Sequence, residues 1–283
     1  NKTYFAINEG GNQFAFSELT EAAQNGWSRY DFLVGDIDDD GADELVWNIT
    51  HDNIINRTYT ANLSADQQSI EFLPHEDLGT GWSQYDAYIG DMNGGGADLI
   101  FSRTDNINRL YVGKSNGDGS YTQGGPFTRA ENGWGSYQTY VAQADNNPNV
   151  DMVLNYPGNG INRLYVTPSS NDSKFNSALP AQDHPVDQDW RAYELLLGDV
   201  DGDGIDDAIW TNHGIGDITS NVFTALGTSS GMYDFSPVKQ SSPYQATWSQ
   251  FQSFLLDING DSKKDMLWIK AGSTTEIFVA LAK

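Results

Sequence analysis

Asp189-Trp190-Arg191-Ala192-Tyr193, then Leu195-Leu196-Leu197, the acidic turn Asp199-Val200-Asp201-Gly202-Asp203-Gly204-Ile205-Asp206-Asp207 and Ala208-Ile209-Trp210: this stretch decides the fold. Two short apolar runs flank a polar turn, the pattern of an antiparallel hairpin running from a strand A to a strand B. The unit recurs at Gly26-Trp27-Ser28-Arg29-Tyr30, Gly81-Trp82-Ser83-Gln84-Tyr85, Gly133-Trp134-Gly135-Ser136-Tyr137 and Thr247-Trp248-Ser249-Gln250-Phe251, a repeat of roughly 55 residues. Two more strands follow in each copy, for example Arg109-Leu110-Tyr111-Val112 as C and Tyr121-Thr122 toward Phe127 as D. Four antiparallel strands per repeat predict a propeller blade.

The fold class is therefore all-β, a β-propeller of five four-stranded blades forming one domain over residues 1–283. The repeat units are 27–81, 82–133, 134–189, 190–247, and 248–283 joined with 1–26. The last unit supplies A around Phe254-Leu255-Leu256, B at Met266-Leu267-Trp268 and C at Ile277-Phe278-Val279. Its strand D is expected from Phe14-Ala15-Phe16, so that N- and C-terminal strands close the fold without a free sheet edge. Thr3–Ile7 also reads as a C strand, which leaves a six-position or incomplete ring as the alternative.

Composition agrees with many strands and tight turns: 38% apolar residues, 12% aromatic and 29 Gly. With 15 Lys and Arg against 39 Asp and Glu, the net charge of −24 repels phosphate backbones and anionic lipid, so neither nucleic acid nor membrane insertion is expected. No apolar run approaches the ~20 residues of a membrane span. Asn1-Lys2-Thr3-Tyr4 shows neither an initiating Met nor a signal pattern, so the chain is expected to be processed or cut from a longer one. There is no cysteine, so packing, ring closure and oxygen-ligated ions must stabilise the fold.

The carboxylates are bunched in the A–B turns. Besides the fourth turn, the first reads Asp36-Ile37-Asp38-Asp39-Asp40-Gly41-Ala42-Asp43-Glu44 and the fifth Asp257-Ile258-Asn259-Gly260-Asp261-Ser262-Lys263-Lys264-Asp265. Alternating oxygen side chains around a tight turn suit calcium, which takes six to eight oxygen ligands. An EF-hand opens with similar spacing, but here the flanks are β-runs and the distal Glu is missing. The second turn, Asp91-Met92-Asn93-Gly94-Gly95-Gly96-Ala97-Asp98, has lost a central acid. The third, Gln143-Ala144-Asp145-Asn146-Asn147-Pro148-Asn149-Val150-Asp151, has lost its first acid and its Gly.

These repeated turns resemble the FG-GAP and VCBS repeats, the calcium-bearing propeller units of integrin α-subunits, some fungal lectins and many secreted bacterial proteins. The resemblance implies one ion held by Asp36, Asp38, Asp40 and Glu44, a second by Asp199, Asp201, Asp203 and Asp207, and a third by Asp257, Asn259, Asp261 and Asp265. It implies weaker binding at Asp91, Asn93 and Asp98, and little or none in the third turn. A secreted, extracellular protein is the matching expectation.

On the face opposite the turns, the B–C connections repeat Asn-Arg in the first three blades: Asn56-Arg57, Asn108-Arg109 and Asn162-Arg163. Together with Trp27, Trp82 and Trp134 they form candidate glycan sites, since aromatic faces stack on pyranoses while Asn and Arg donate to hydroxyls. Against this, the Trp set also suits a wedge between blades, and Arg57 or Arg109 could pair with Asp31 or Asp86. The expected function is a carbohydrate-binding, lectin-like module acting on glycans or a glycoprotein. The alternatives are a docking module within a larger secreted toxin or adhesin, binding its parent chain or another protein, and a glycosidase with carboxylates such as Asp31 and Asp86 at the central funnel. There is no cysteine nucleophile, no His-Glu-x-x-His zinc motif and no phosphate loop, and His51, His75, His184 and His213 share no spacing and read as exposed loop residues.

Overall fold

The computed structural model describes residues 2–10, 13–20, 30–49, 56–63, 70–104, 108–129, 134–170, 172, 174–185, 189–212, 221–236, 239–241, 250–270 and 276–283. It is all-β, with five successive antiparallel sheets that are the blades of a five-bladed β-propeller. The chain divides into two compact units, Asn1–Asn132 and Gly133–Lys283.

The first unit opens with a hairpin, β1 (Lys2–Gly10) and β2 (Gln13–Thr20). Blade 1 follows as β3 (Asp31–Gly35), β4 (Glu44–Ile49) and β5 (Arg57–Leu63), with β6 (Ile70–Phe72) and β7 (Glu76–Asp77) both on the outer side of β5. Blade 2 is β8 (Asp86–Gly90), β9 (Asp98–Thr104), β10 (Asn108–Ser115) and β11 (Tyr121–Arg129).

In the second unit, blade 3 comprises β12 (Gln138–Ala142), β13 (Asp151–Pro157) and β14 (Asn162–Thr167). A small pair, β15 (Ser169–Ser170) and β16 (Lys174–Phe175), precedes its short outer strand β17 (Gln182–Asp183). Blade 4 is β18 (Tyr193–Gly198), β19 (Asp207–Asn212) and β20 (Asn221–Gly227), edged by β21 (Tyr233–Asp234) and β22 (Lys239–Ser241). Blade 5 is β23 (Gln252–Leu256), β24 (Asp265–Lys270) and β25 (Glu276–Ala280).

The A-B-C-D order read from the repeat is the observed sheet order. The N-terminal expectation is corrected: Phe14–Phe16 lie on β2 and take β1 as partner, with Ala6 opposite Phe16 and Phe5 opposite Ser17. Thr3–Ile7 is the other arm of that hairpin, and the fifth sheet as described contains three strands. Two complementary runs separated by two residues satisfy each other locally, at less entropic cost than pairing with the far end of the chain.

Strand B is buried on both faces, which is why β9, β13 and β19 read as continuous apolar runs rather than strict alternation. In the first unit Ile37, Val46, Trp82, Leu99, Phe101 and Tyr121 form one core between blades 1 and 2. In the second, Val153, Leu164, Trp190, Trp210 and Phe223 pack blade 3 on blade 4, and Ile209, Phe251, Met266 and Trp268 pack blade 4 on blade 5.

Blade spacing depends on Gly96. It has a φ of +87°, and a Cβ there would lie 2.2 Å from the carbonyl oxygen of Ile37 in the neighbouring turn. Gly96→Ala combines left-handed backbone strain with a backbone clash, and is expected to cost about 2 kcal/mol, or roughly 4–8 °C in melting temperature. An unchanged melting curve would mean that blades 1 and 2 do not approach this closely.

Candidate metal turns and ligand-binding rim

In the first turn both carboxylate oxygens of Asp36 accept backbone amides, from Asp40 at 3.1 Å and Gly41 at 2.9 Å. Asp40 in turn accepts Ala42 N–H at 2.9 Å. The fourth turn repeats this, with Asp199 accepting Gly202 N–H at 2.6 Å and Gly204 N–H at 2.8 Å, and Asp203 accepting Ile205 N–H at 2.9 Å. Asp36, Asp38 and Asp40, and likewise Asp199, Asp201 and Asp203, each bring one carboxylate oxygen within 4.8 Å of the others. Three converging carboxylates are a donor set that fits a hard divalent cation. In the fifth turn Asp257 accepts Gly260 and Ser262 amides in the same way, while Asn259 donates to Asp261 at 3.0 Å.

The last acid of every turn has a different position. Glu44, Asp98, Asp151, Asp207 and Asp265 are all buried. Asp207 accepts Val200 N–H of its own turn at 2.8 Å and Gly227 N–H at the end of strand C at 2.7 Å. Asp98 does the same with Met92 and Ser115, Asp151 with Ala144 and Ser169, and Asp265 with Ile258 and Ala282. Glu44 accepts Ile37 N–H at 2.7 Å. Burial pushes the carboxyls of Asp151 and Asp207 up to about 6, against the lowering effect of those amides, and also raises Glu44 and Asp98. These residues latch turn to strand, in the third blade as well, where the first acid is Gln143. In the second turn Asn93 also donates to Asp98, at 2.7 Å, leaving Asp91 as the acid nearer solvent.

Neighbouring turns are joined through the backbone, a feature with no signature in side-chain identity. Ala97 N–H donates to Asp36 O at 2.6 Å, Asp206 N–H to Gln143 O at 2.7 Å and Lys264 N–H to Asp199 O at 2.7 Å.

At the other end of the strands the tryptophans are interior. Trp82 and Trp134 are 6% and 4% exposed, and Trp82 packs on Phe101 and Tyr111 while its indole N–H donates to Leu78 O at 3.0 Å. Neither indole has a face open to a sugar, so the wedge role describes them; Trp27 lies outside the described residues. Asn56 and Asn162 are also buried. Asn56 accepts from Asn48, and Asn162, with its amide oriented to satisfy its neighbours, donates to Asn155 and accepts from the Trp210 indole. These asparagines brace the B–C connection. Asn108 begins β10, and its side chain lies outside the described ones.

The arginines stand at the rim with tyrosines that the sequence reading left aside. Arg57 donates bidentately to Asp77 at 2.6 and 3.0 Å, with the Tyr59 ring nearby. Arg163 does so to Asp183 at 2.5 and 2.8 Å, with the Tyr137 ring nearby. Arg109 is exposed, with its guanidinium near the Tyr85 hydroxyl. Arg57 takes Asp77 as its bidentate partner, where the sequence also offered Asp31. Each arginine accompanies a tyrosine pair at matching spacing: Tyr30 and Tyr59 at 5.7 Å, Tyr85 and Tyr111 at 5.6 Å, Tyr137 and Tyr165 at 5.7 Å. Blades 4 and 5 keep an aromatic pair, Tyr193 with Phe223 and Phe251 with Phe278, but carry Asn221 and Glu276 where Arg would stand.

His184 corrects another expectation. It is buried against Trp190, Trp210 and Phe223, and that burial pushes its pKa down to about 4. His75 is exposed beside Tyr59, while His51 and His213 lie outside the described residues.

No protein-family model matches the chain, and no curated protein matches it. Among solved structures it is similar to the Photorhabdus luminescens Tc holotoxin pore, at 17% identity with a TM-score of 0.59, over 98% of this chain and 12% of that one. It also aligns with the exotype rhamnogalacturonan lyase YesX at 14% identity and a TM-score of 0.42, over 89% of this chain and 56% of that one. The chain thus spans a minor part of the toxin chain and about half of the lyase, and the first likeness supports the propeller fold.

Proposed function

We propose that the protein is a glycan-binding module, presenting one Arg-Tyr-Tyr site on each of blades 1, 2 and 3, with calcium holding the turns at the other end of the blades. The observation that carries this reading is the recurrence of Arg57 with Tyr30 and Tyr59, Arg109 with Tyr85 and Tyr111, and Arg163 with Tyr137 and Tyr165 at one register position. A guanidinium and two phenols supply donors, acceptors and apolar ring surface, the mixture that orients a hydroxylated ring. Repetition adds avidity for clustered glycans. Calcium at the first, fourth and fifth turns would neutralise carboxylates that otherwise repel, held by Asp36, Asp38 and Asp40, by Asp199, Asp201 and Asp203, and by Asp257, Asn259 and Asp261. Binding without turnover and an extracellular setting, where calcium is plentiful, complete the reading.

A protein-docking role inside a larger toxin or adhesin is the second reading. The observation favouring it is that nearly the whole chain superposes on 12% of a Tc holotoxin pore chain.

A glycan array followed by calorimetry on Arg57→Ala, Arg109→Ala and Arg163→Ala separates the two. Losing a charge-assisted hydrogen bond of ~1.5–3 kcal/mol should weaken the altered site about tenfold or more, without hydrolysis of any hit. Stability should barely change, since exposed ion pairs contribute ~0–1 kcal/mol. A triple variant that binds glycans with the parent's affinity and stoichiometry rules the rim out, and a protein partner captured regardless of competing sugar favours docking.

A further inference from the structure

The second unit contains a cavity of about 680 Å3 that none of the rim sites uses. It is lined by the starts of three successive inner strands: Gln138 and Tyr140 of β12, Tyr193 and Glu194 of β18, and Gln252 to Phe254 of β23. Gln138, Glu194 and Gln252 occupy one repeat position, five residues before the first residue of their turns, Gln143, Asp199 and Asp257. All three are exposed, so the wall is two carboxamides flanking one carboxylate. Arg191 also lines the cavity, but its guanidinium is held bidentately by Asp189 at 2.7 and 2.8 Å. Aromatic surface comes from Tyr140, Tyr193 and Phe254, the last 42% exposed.

We propose that this cavity binds a saccharide residue carrying a free primary amine. Its volume falls within the ~300–1,000 Å3 of small-molecule sites. The Gln252 amide offers a donor and an acceptor, and the Gln138 amide, whose oxygen accepts the Tyr140 hydroxyl at 3.1 Å, offers a donor; beside aromatic faces these match ring hydroxyls and a pyranose's apolar side. Glu194 supplies the counter-charge for the ammonium, the ring faces add cation–π attraction, and the chain's net charge of −24 draws cations toward it. The phenol of Tyr140 is pushed up to about 12, first by burial and then by the nearby Glu194 carboxylate. The preference is opposite to that of the rim, where an arginine presents positive charge, so this site stands or falls independently of the glycan-binding reading above.

Calorimetry near neutral pH with glucosamine, N-acetylglucosamine, glucose and n-butylamine tests it. Glucosamine should bind at millimolar concentration or better, and acetylating its nitrogen should weaken binding about tenfold, the loss of one charge-assisted contact. Glu194→Gln should impose the same loss on glucosamine while leaving glucose unchanged. Phe254→Ala, at an exposed position, should weaken glucosamine binding while the melting curve reports folding, and so provides a check independent of Glu194. The proposal is overturned if glucosamine does not bind, if Glu194→Gln or Phe254→Ala leaves its affinity unchanged, or if N-acetylglucosamine binds equally well. Butylamine binding as tightly as glucosamine overturns the saccharide assignment.

Discussion

Chelating calcium is expected to lower the melting temperature by on the order of 15 °C. A ligand at a hundred times its dissociation constant stabilises the native state by about 2.7 kcal/mol per site, so three occupied turns contribute ~8 kcal/mol, and a domain of this size melts ~2 °C lower per kcal/mol lost. Loss of the ion leaves Asp199, Asp201 and Asp203 converging within 4.8 Å with no cation between them. Their repulsion also acts on the next blade, because Lys264 N–H of the fifth turn is bonded to Asp199 O of the fourth. Asp201→Ala should remove roughly a third of the calcium-dependent increment and leave the melting temperature in chelator near that of the parent, since Asp201 has a small part in the turn's own amide bonding. Scanning calorimetry with and without chelator measures both. Equal melting of the parent in the two buffers would dismiss calcium from all three turns.

Much of the architecture was legible because each blade repeats its punctuation. Trp82, Trp134 and Trp190 mark the approach to strand A, the acidic turn marks its end, and period-two patterning fixes which residues turn inward. What the sequence could not distinguish is a side chain that serves a ligand from one that serves the fold, since both recur with the blade. Trp82 recurs because two sheets meet on it, and Asn162 because a buried amide is needed to bond Asn155 and the Trp210 indole. Arg57, Arg109 and Arg163 recur in the first three blades alone, and they are the ones at the rim. Asp77 and Asp183, which hold two of those arginines, lie twenty residues downstream on short outer strands, where no spacing rule reaches. The pairing of β1 with β2 was missed for a related reason: an apolar run states that it wants a partner strand, not which one.

Asp151→Ala separates the latch from the ions, because it lies in the one turn whose first position is not acidic. Its carboxylate accepts Ala144 N–H at 3.2 Å and Ser169 N–H at 2.7 Å, and both donors are buried. Truncation leaves two amides without acceptors, at ~1–3 kcal/mol each, so a loss of about 4 kcal/mol is expected near pH 5. That loss should be the same with calcium and with chelator, in contrast to Asp201→Ala, whose effect exists in calcium alone. The pH dependence has a defined sign. Burial raises the folded pKa to about 6 from an unfolded value near 3.9, so the stability contributed by Asp151 is full below about pH 4 and falls as pH rises through 6. The penalty of Asp151→Ala should therefore shrink between pH 4 and 7, by about 2–3 kcal/mol at ~1.4 kcal/mol per pKa unit. A penalty that grows with pH, or that appears only when calcium is present, would show that Asp151 works as a metal ligand and that the third turn binds an ion after all.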